Sequence, residues 1–194
     1  MNYKEEIRAY IPINEQEASE QKVILEYIEK FPEDILSRAN EFAHLTSSGF
    51  VMNASLDKVL MVHHNIYQTW AWTGGHADGE VDLLKVAIKE AIEETGVRNI
   101  RPLTETIASL DILPVWGHIK KGKYVATHLH LSVAYILIAE EADEVKVNEA
   151  ENSGVMWIGI NELEKYSNEP QLIRIYHKLI EQAKNNKKHL KIEI

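Results

Sequence analysis

The chain has 194 residues, 45% of them hydrophobic, enough for one substantial core and too few for two ordinary domains. It contains no cysteine, which removes disulfides, thiolate zinc centres and cysteine nucleophiles, so any metal must be held by oxygen or imidazole. A net charge of -9 argues against a nucleic-acid polymer as partner, and a small phosphorylated ligand would need a cation to bridge it.

The opening MNYKEEIRAYIPINEQE has neither the basic start nor the apolar middle of a signal peptide, and no apolar run long enough to span a membrane follows. A soluble, cytoplasmic protein with no membrane partner is the expectation. Residues 15–30 place Val23, Ile24, Tyr27 and Ile28 on one side at helical spacing, and Pro32 with Glu33 and Asp34 reads as the first turn of another helix. Residues 1–45 are therefore expected to form a helical extension whose apolar face covers the site or builds a homodimer. Strand-like segments follow at 48–55 and 58–64, with a turn at Leu56 and Asp57, then TWAW, a glycine loop at Gly74 and Gly75, and a helix ending before Gly96. Residues 100–116 and 124–139 read as strands of a second hairpin, with KKGK as a turn. A short strand at 154–160, a short helix capped by Asn161, and a closing helix at 169–186 with Leu172, Ile175, Tyr176, Leu179 and Ile180 inward complete the pattern. The basic tail from residue 184 reads as a solvated end or an edge strand. Such interleaving suggests a mixed sheet covered by helices.

The central helix carries an anomaly. Leu84, Ile88, Ala91 and Ile92 form its apolar stripe, while Glu90, Glu93 and Glu94 converge in its last turn. Like charges at this spacing cost about 0.2–0.5 kcal/mol per pair when exposed, and carboxylates at the negative end of the helix dipole cost about 0.3–1 kcal/mol more. A hard divalent cation turns that repulsion into attraction, and Mg²⁺ favours a few carboxylates plus substrate phosphates.

From Gly75 to Val97 the sequence resembles the Nudix box of the Nudix hydrolases. Gly75 stands at the first glycine, Lys89 and Glu90 at the arginine-glutamate pair, Glu93 and Glu94 at the paired glutamates, and Gly96 and Val97 at the close. The early glutamate falls on Val81, flanked by Glu80 and Asp82, and Lys89 replaces an arginine, losing the planar fork that can hold two carboxylate oxygens. The resemblance implies a Nudix-type α/β/α sandwich over residues 46–194 and hydrolysis of a diphosphate linkage in a nucleoside diphosphate derivative. It implies Mg²⁺ or Mn²⁺ held by Glu90, Glu93, Glu94 and the Gly75 carbonyl, with Lys89 supporting them. The family often draws its base or a further ligand from outside the box, and Glu149 and Glu151 precede a strand. A nucleotide-binding or regulatory module on the same fold is the alternative, which loss of the ligand glutamates would favour. A diphosphate isomerase would need a nucleophile or acid that the chain does not offer.

His128 and His130 lie two apart in a strand and face the same way, and His63, His64 and His76 sit near the box. Paired imidazoles can hold zinc, but no third ligand stands at a recognisable spacing, so His128 and His130 are read as structural or substrate-contacting. His76 is placed to reach a phosphate or to brace the loop. Trp70 and Trp72, with Tyr67 and Trp116, are candidates to stack on a base.

Overall fold

Asparagines open the first two helices. Asn2 caps α1 (Tyr3–Ala9) within a capping box shared with Glu5, and Asn14 caps α2 (Glu15–Lys30) by accepting the Glu17 N–H. The helix expected from Pro32 does not form; residues 32–42 run as turns. Local side chains compete for that backbone: Asn40 bonds Asp34 and accepts the Ala43 N–H, delivering the chain into a strand. The computed structural model describes residues 2–120 and 122–190, with side chains to residue 186.

Strand β1 (Ala43–Asn53) begins earlier than the sequence pattern suggests because every one of its residues is buried, leaving no polar alternation to mark its start. It turns at Leu56 into β2 (Lys58–His64), and Asn53 braces the turn by accepting the N–H groups of Asp57 and Lys58. After β3 (Thr69–Ala71), the expected glycine loop is instead a strand, β4 (Thr73–His76), paired antiparallel with β1 through Ser48–Gly74 and Ser47–Gly75. Helix α3 (Leu83–Thr95) follows, capped by Asp82 and closed by left-handed Gly96 at φ 76°.

Beyond it lie β5 (Arg101–Pro102), β6 (Ser109–Val115), the hairpin of β7 (His118–Lys120) and β8 (Lys123–Val125), and β9 (His128–Ala139). The expected strands at 100–116 and 124–139 are thus each two; β6 pairs antiparallel with β9 as the expected second hairpin requires, but the KKGK turn joins β7 to β8 instead. Then come β10 (Asn152–Gly159), α4 (Leu163–Tyr166) and α5 (Pro170–Leu190). Glu162, not Asn161, stands at the N-cap of α4 and makes no side-chain cap. Residues 184–190 extend α5 rather than forming an edge strand, and the rest of the tail lies outside the described residues.

The sheet runs β10-β2-β1-β9-β5, with β3 also on β2, β4 on β1 and β6 on β9. It is mixed: β1 and β9 are parallel along their whole length, and the other pairs are antiparallel. One core lies where Leu45, Val51, Leu131 and Val133 meet Ile7, Ile24, Ile28, Ala87 and Ala91 of α1, α2 and α3. The other lies where Phe50, Met61 and Ile136 meet Leu163 of α4 and Leu172, Tyr176 and Leu179 of α5. This is an α/β/α sandwich. The five inward residues expected of the closing helix are all buried. Among the described residues no helix is long and apolar enough to cross a membrane.

The N-terminal helices are sewn into this sandwich. Tyr3, Ile7, Ile24, Ile28 and Ile35 belong to the first core and Tyr27 packs against it, so most of the apolar face expected of residues 15–30 is occupied within the chain, while Val23 of that face is 50% exposed. Glu17, fully buried, accepts from the Tyr10 hydroxyl at 2.7 Å and the Ile13 N–H at 2.9 Å. Lys178 of α5 meets Glu17 at 2.6 Å and Asp111 of β6 at 3.0 Å, so one buried ammonium is shared by buried carboxylates of α2 and β6.

Candidate active site

The end of α3 meets β4 edge-on, and the contact explains the acidic turn. The buried side of α3 is Leu83, Val86, Ala87, Ala91 and Glu94, one position round from the expected stripe; Ile92 is exposed. A Cβ on Gly49 of β1 would stand 3.2 Å from the Ala87 carbonyl and 2.7 Å from the Leu137 side chain, so helix and sheet approach closely here. The same rotation carries Glu94 inward to 4% exposure, where its Oε1 accepts the Gly74 N–H at 2.9 Å.

Glu90, Glu94 and Glu151 each present an oxygen to one point, all within 4.8 Å of one another. Gly75 makes space for this: a Cβ there would run into the Glu90 carboxylate, and one at Gly74 would strike Ser48. Burial pushes the Glu94 carboxyl up to about 8 against the pull of the Gly74 N–H, with Glu151, Glu90 and Glu93 raising it further. Burial likewise raises Glu90, opposed by Lys89. A carboxyl driven this far from its ordinary range, beside two others, suits a bound cation that replaces the missing solvation.

Glu93 stands apart from the triad. Its carboxylate is 52% exposed and meets Lys89 at 3.3 Å, while the same ammonium meets Glu90 at 3.1 Å. Lys89 thus spans two carboxylates with one charge, a geometry the sequence comparison with an arginine fork did not anticipate. Glu80 holds the entrance of α3 at the departure from the box: its carboxylate accepts the N–H groups of Val81 and Asp82 and pairs with Lys85, while Val81 itself is exposed.

Two asparagines missed in the sequence bring Glu151 to the site. The last carbonyls of a helix lack intrahelical partners; Asn148 donates to the Glu93 carbonyl at 3.3 Å and Asn152 to that of Glu94 at 2.9 Å. The chain between them is thereby pinned to the helix end. The spacing of NEAEN, an asparagine on each side of Glu149 and Glu151, was the available signal. Glu149 is outside the carboxylate group, and its backbone carbonyl accepts from Asn65. Arg38, in the turns before β1, forms a two-pronged pair with Asp78 and acts electrostatically on Glu90 and Glu151.

The remaining candidates divide. Trp72 is a core residue, its ring packed edge-on against Tyr176 and its backbone N–H donating to the Tyr176 hydroxyl, so it has no face left for a ligand. Trp70 is half-buried against His63 and Gly154. Trp116 and Tyr124 are open to solvent on either side of the β7–β8 turn. His76, His128 and His130 lie together on the sheet face opposite α3, joined by His44.

The model of the NUDIX domain matches residues 43–179, taking in the sheet, α3 and Glu151. The chain belongs to the NUDIX family. Solved Nudix structures share its fold. A NUDIX-family hydrolase from Clostridium perfringens superposes with a TM-score of 0.51 at 18% identity, covering 72% of this chain and 97% of that one. The Nudix hydrolase RenU from M. smegmatis gives 0.52 at 15% identity, over 74% and 88%. At these identities the likeness concerns the fold alone. No curated protein gives a significant match to the chain. Membership makes this chain a Nudix pyrophosphohydrolase.

Proposed function

We propose that this Nudix protein hydrolyses a diphosphate linkage in a small nucleoside diphosphate derivative with Mg²⁺ or Mn²⁺ as cofactor. The observation that carries the reading is the convergence of Glu90, Glu94 and Glu151 beside the Gly74–Gly75 backbone, with Glu94 buried and its carboxyl displaced upward. Glu90 and Glu94 would hold the cation with the Gly75 carbonyl, and Glu93 would join them by releasing Lys89. When bound, the cation supplies charge neutralisation on the phosphate oxygens and a position for the attacking water.

The chain's own groups do the rest. Glu151 comes from outside α3, and its carboxylate is the candidate to accept a proton from water; Asn148 and Asn152 fix its backbone for that task. Glu149 is the second candidate. Lys89 balances charge when the site is empty, and Arg38 is the nearby cation able to meet a substrate phosphate on leaving Asp78. Trp70, Trp116 and Tyr124 are the aromatic surfaces proposed to stack on a base. Loss of the ligand glutamates would favour a module that binds nucleotides without cleaving them, and Glu90, Glu93 and Glu94 are all present.

The test incubates the full chain with a panel of nucleoside diphosphate derivatives and Mg²⁺, releasing phosphate with a phosphatase for detection. Hydrolysis that stops with chelator and is restored by Mg²⁺ or Mn²⁺ is expected; full turnover in excess chelator overturns the reading.

A further inference from the structure

We propose that His44, His76, His128 and His130 form a second metal site, an all-imidazole site for Zn²⁺ or a similar borderline transition ion, which clasps β1, β4 and β9 together on the sheet face opposite the acidic helix. The tertiary structure supplies the partners that the His128–His130 pair lacks in sequence. In β1, His44 lies opposite His130 in the parallel ladder with β9, and His76 ends β4, two residues along from that level. One ring nitrogen from each of the four lies within 4.8 Å of the others.

Hydrogen bonding orients two of the rings as ligands. The Nδ1 of His44 is 2.9 Å from the Asn40 carbonyl, and that of His128 is 2.8 Å from the Ala126 carbonyl. A carbonyl oxygen only accepts, so each Nδ1 carries the proton and each Nε2 keeps its lone pair. This is the arrangement of metal-ligating histidines, whose second nitrogen donates to a backbone carbonyl. The His44 ring is 4% exposed, and its Nε2 has no hydrogen-bond partner. A buried lone pair aimed into a group of imidazoles is unsatisfied without a cation. The Nε2 atoms of His128 and His130 are 3.3 Å apart. Neighbouring ligands of a tetrahedral ion with bonds of about 2.0–2.1 Å stand about 3.3 Å apart, so this pair already has the required spacing. On binding, His130 keeps one proton by moving it to its other nitrogen.

The donor set selects the ion. Four neutral nitrogens without a carboxylate suit Zn²⁺, Co²⁺, Ni²⁺ or Cu²⁺ and are poor ligands for Mg²⁺, which demands oxygen. Burial lowers His44, His76 and His130 from the ordinary imidazole range, which favours the neutral rings that an ion needs. The site is separate from the Nudix carboxylates and stands whether or not the hydrolytic reading holds.

The test titrates chelator-stripped full chain with Zn²⁺, in excess Mg²⁺ to occupy the carboxylates, and follows heat of binding, bound zinc per chain and melting temperature. One zinc per chain, a raised melting temperature and, with Co²⁺ as probe, the intense visible bands of a tetrahedral ion are expected. Glu94→Gln should bind zinc as the wild type does. His128→Gln with His130→Gln should weaken zinc binding at least ~100-fold, more than loss of a supporting partner costs, while melting normally in Mg²⁺ alone. If that double variant does not fold, His130→Gln alone carries the test. Absence of zinc binding under these conditions, or zinc binding unchanged by the histidine substitutions, overturns the proposal.

Discussion

Glu94 concentrates the tension between stability and function. Its folded carboxyl titrates near 8, above the ordinary value of 4.5, so the folded state holds the proton more tightly than the unfolded one. The contribution of this group to stability is therefore fully present below about 4.5 and is lost as pH rises through about 8. Without metal, Glu94→Gln should match the wild type at the acid end of that window and melt higher at its alkaline end, because Gln keeps an oxygen for the Gly74 N–H and carries no charge. Melting curves across pH with chelator test this; parallel curves for the two proteins would show that burial does not charge Glu94 at a cost. With Mg²⁺, the substitution should lower turnover by orders of magnitude and shrink the stabilisation that the ion provides. At Gly75 turnover should fall again, without the alkaline gain in stability. Gly75→Ala places a methyl group against the Glu90 carboxylate, so turnover should fall about 100-fold, as a displacement of about 1 Å can cause, with little change in melting temperature. Wild-type rates from that variant would mean that the Glu90 position is unimportant.

Between elements, the consequential joint is that of α3 with the segment before β10. Asn152 is almost fully buried and its amide serves the Glu94 carbonyl. Asn152→Ala should cost about 1–3 kcal/mol by leaving that carbonyl unpaired, and should lower kcat through the loosened Glu151 loop. Denaturant unfolding and steady-state kinetics on the variant check both; a stability loss without a kinetic effect would remove Glu151 from the catalytic role. The rotation of α3 belongs to this scale as well. Of the expected stripe Ala91 is fully buried, Leu84 and Ile88 only partly and Ile92 exposed, while Leu83, Val86 and Ala87 turn inward in their place, Ala87 where the helix passes close to Gly49. A hydrophobicity pattern ranks residues by size and polarity and does not register the depth of the groove they enter.

At the scale of the molecule, the N-terminal helices and α5 are joined through the buried charges of Glu17, Lys178 and Asp111. Lys178→Met strands two buried carboxylates and should destabilise the fold by about 3–5 kcal/mol. Urea unfolding measures the cost, and a loss under about 1 kcal/mol would show that these charges are solvated. Removing residues 1–42 would expose the first core and take away Glu17 together, so the truncated chain should fail to fold cooperatively, whatever its effect on oligomeric state.

The sequence by itself determined the class of protein. The box residues from Gly75 to Val97, the alternation of β-branched segments with amphipathic helices, and the absence of cysteine sufficed for a Nudix sandwich and a carboxylate site, because period and spacing are local properties of the chain. What only the tertiary structure decided depends on residues far apart in sequence. It grouped Glu151 with Glu90 and Glu94, turned Glu93 toward Lys89, placed Trp72 in the core, and drew the N-terminal helices onto the sheet. It also set His44 and His76 beside His128 and His130. The parallel pairing of β1 with β9 spans more than 80 residues of intervening chain, so no local pattern could announce that four imidazoles would meet.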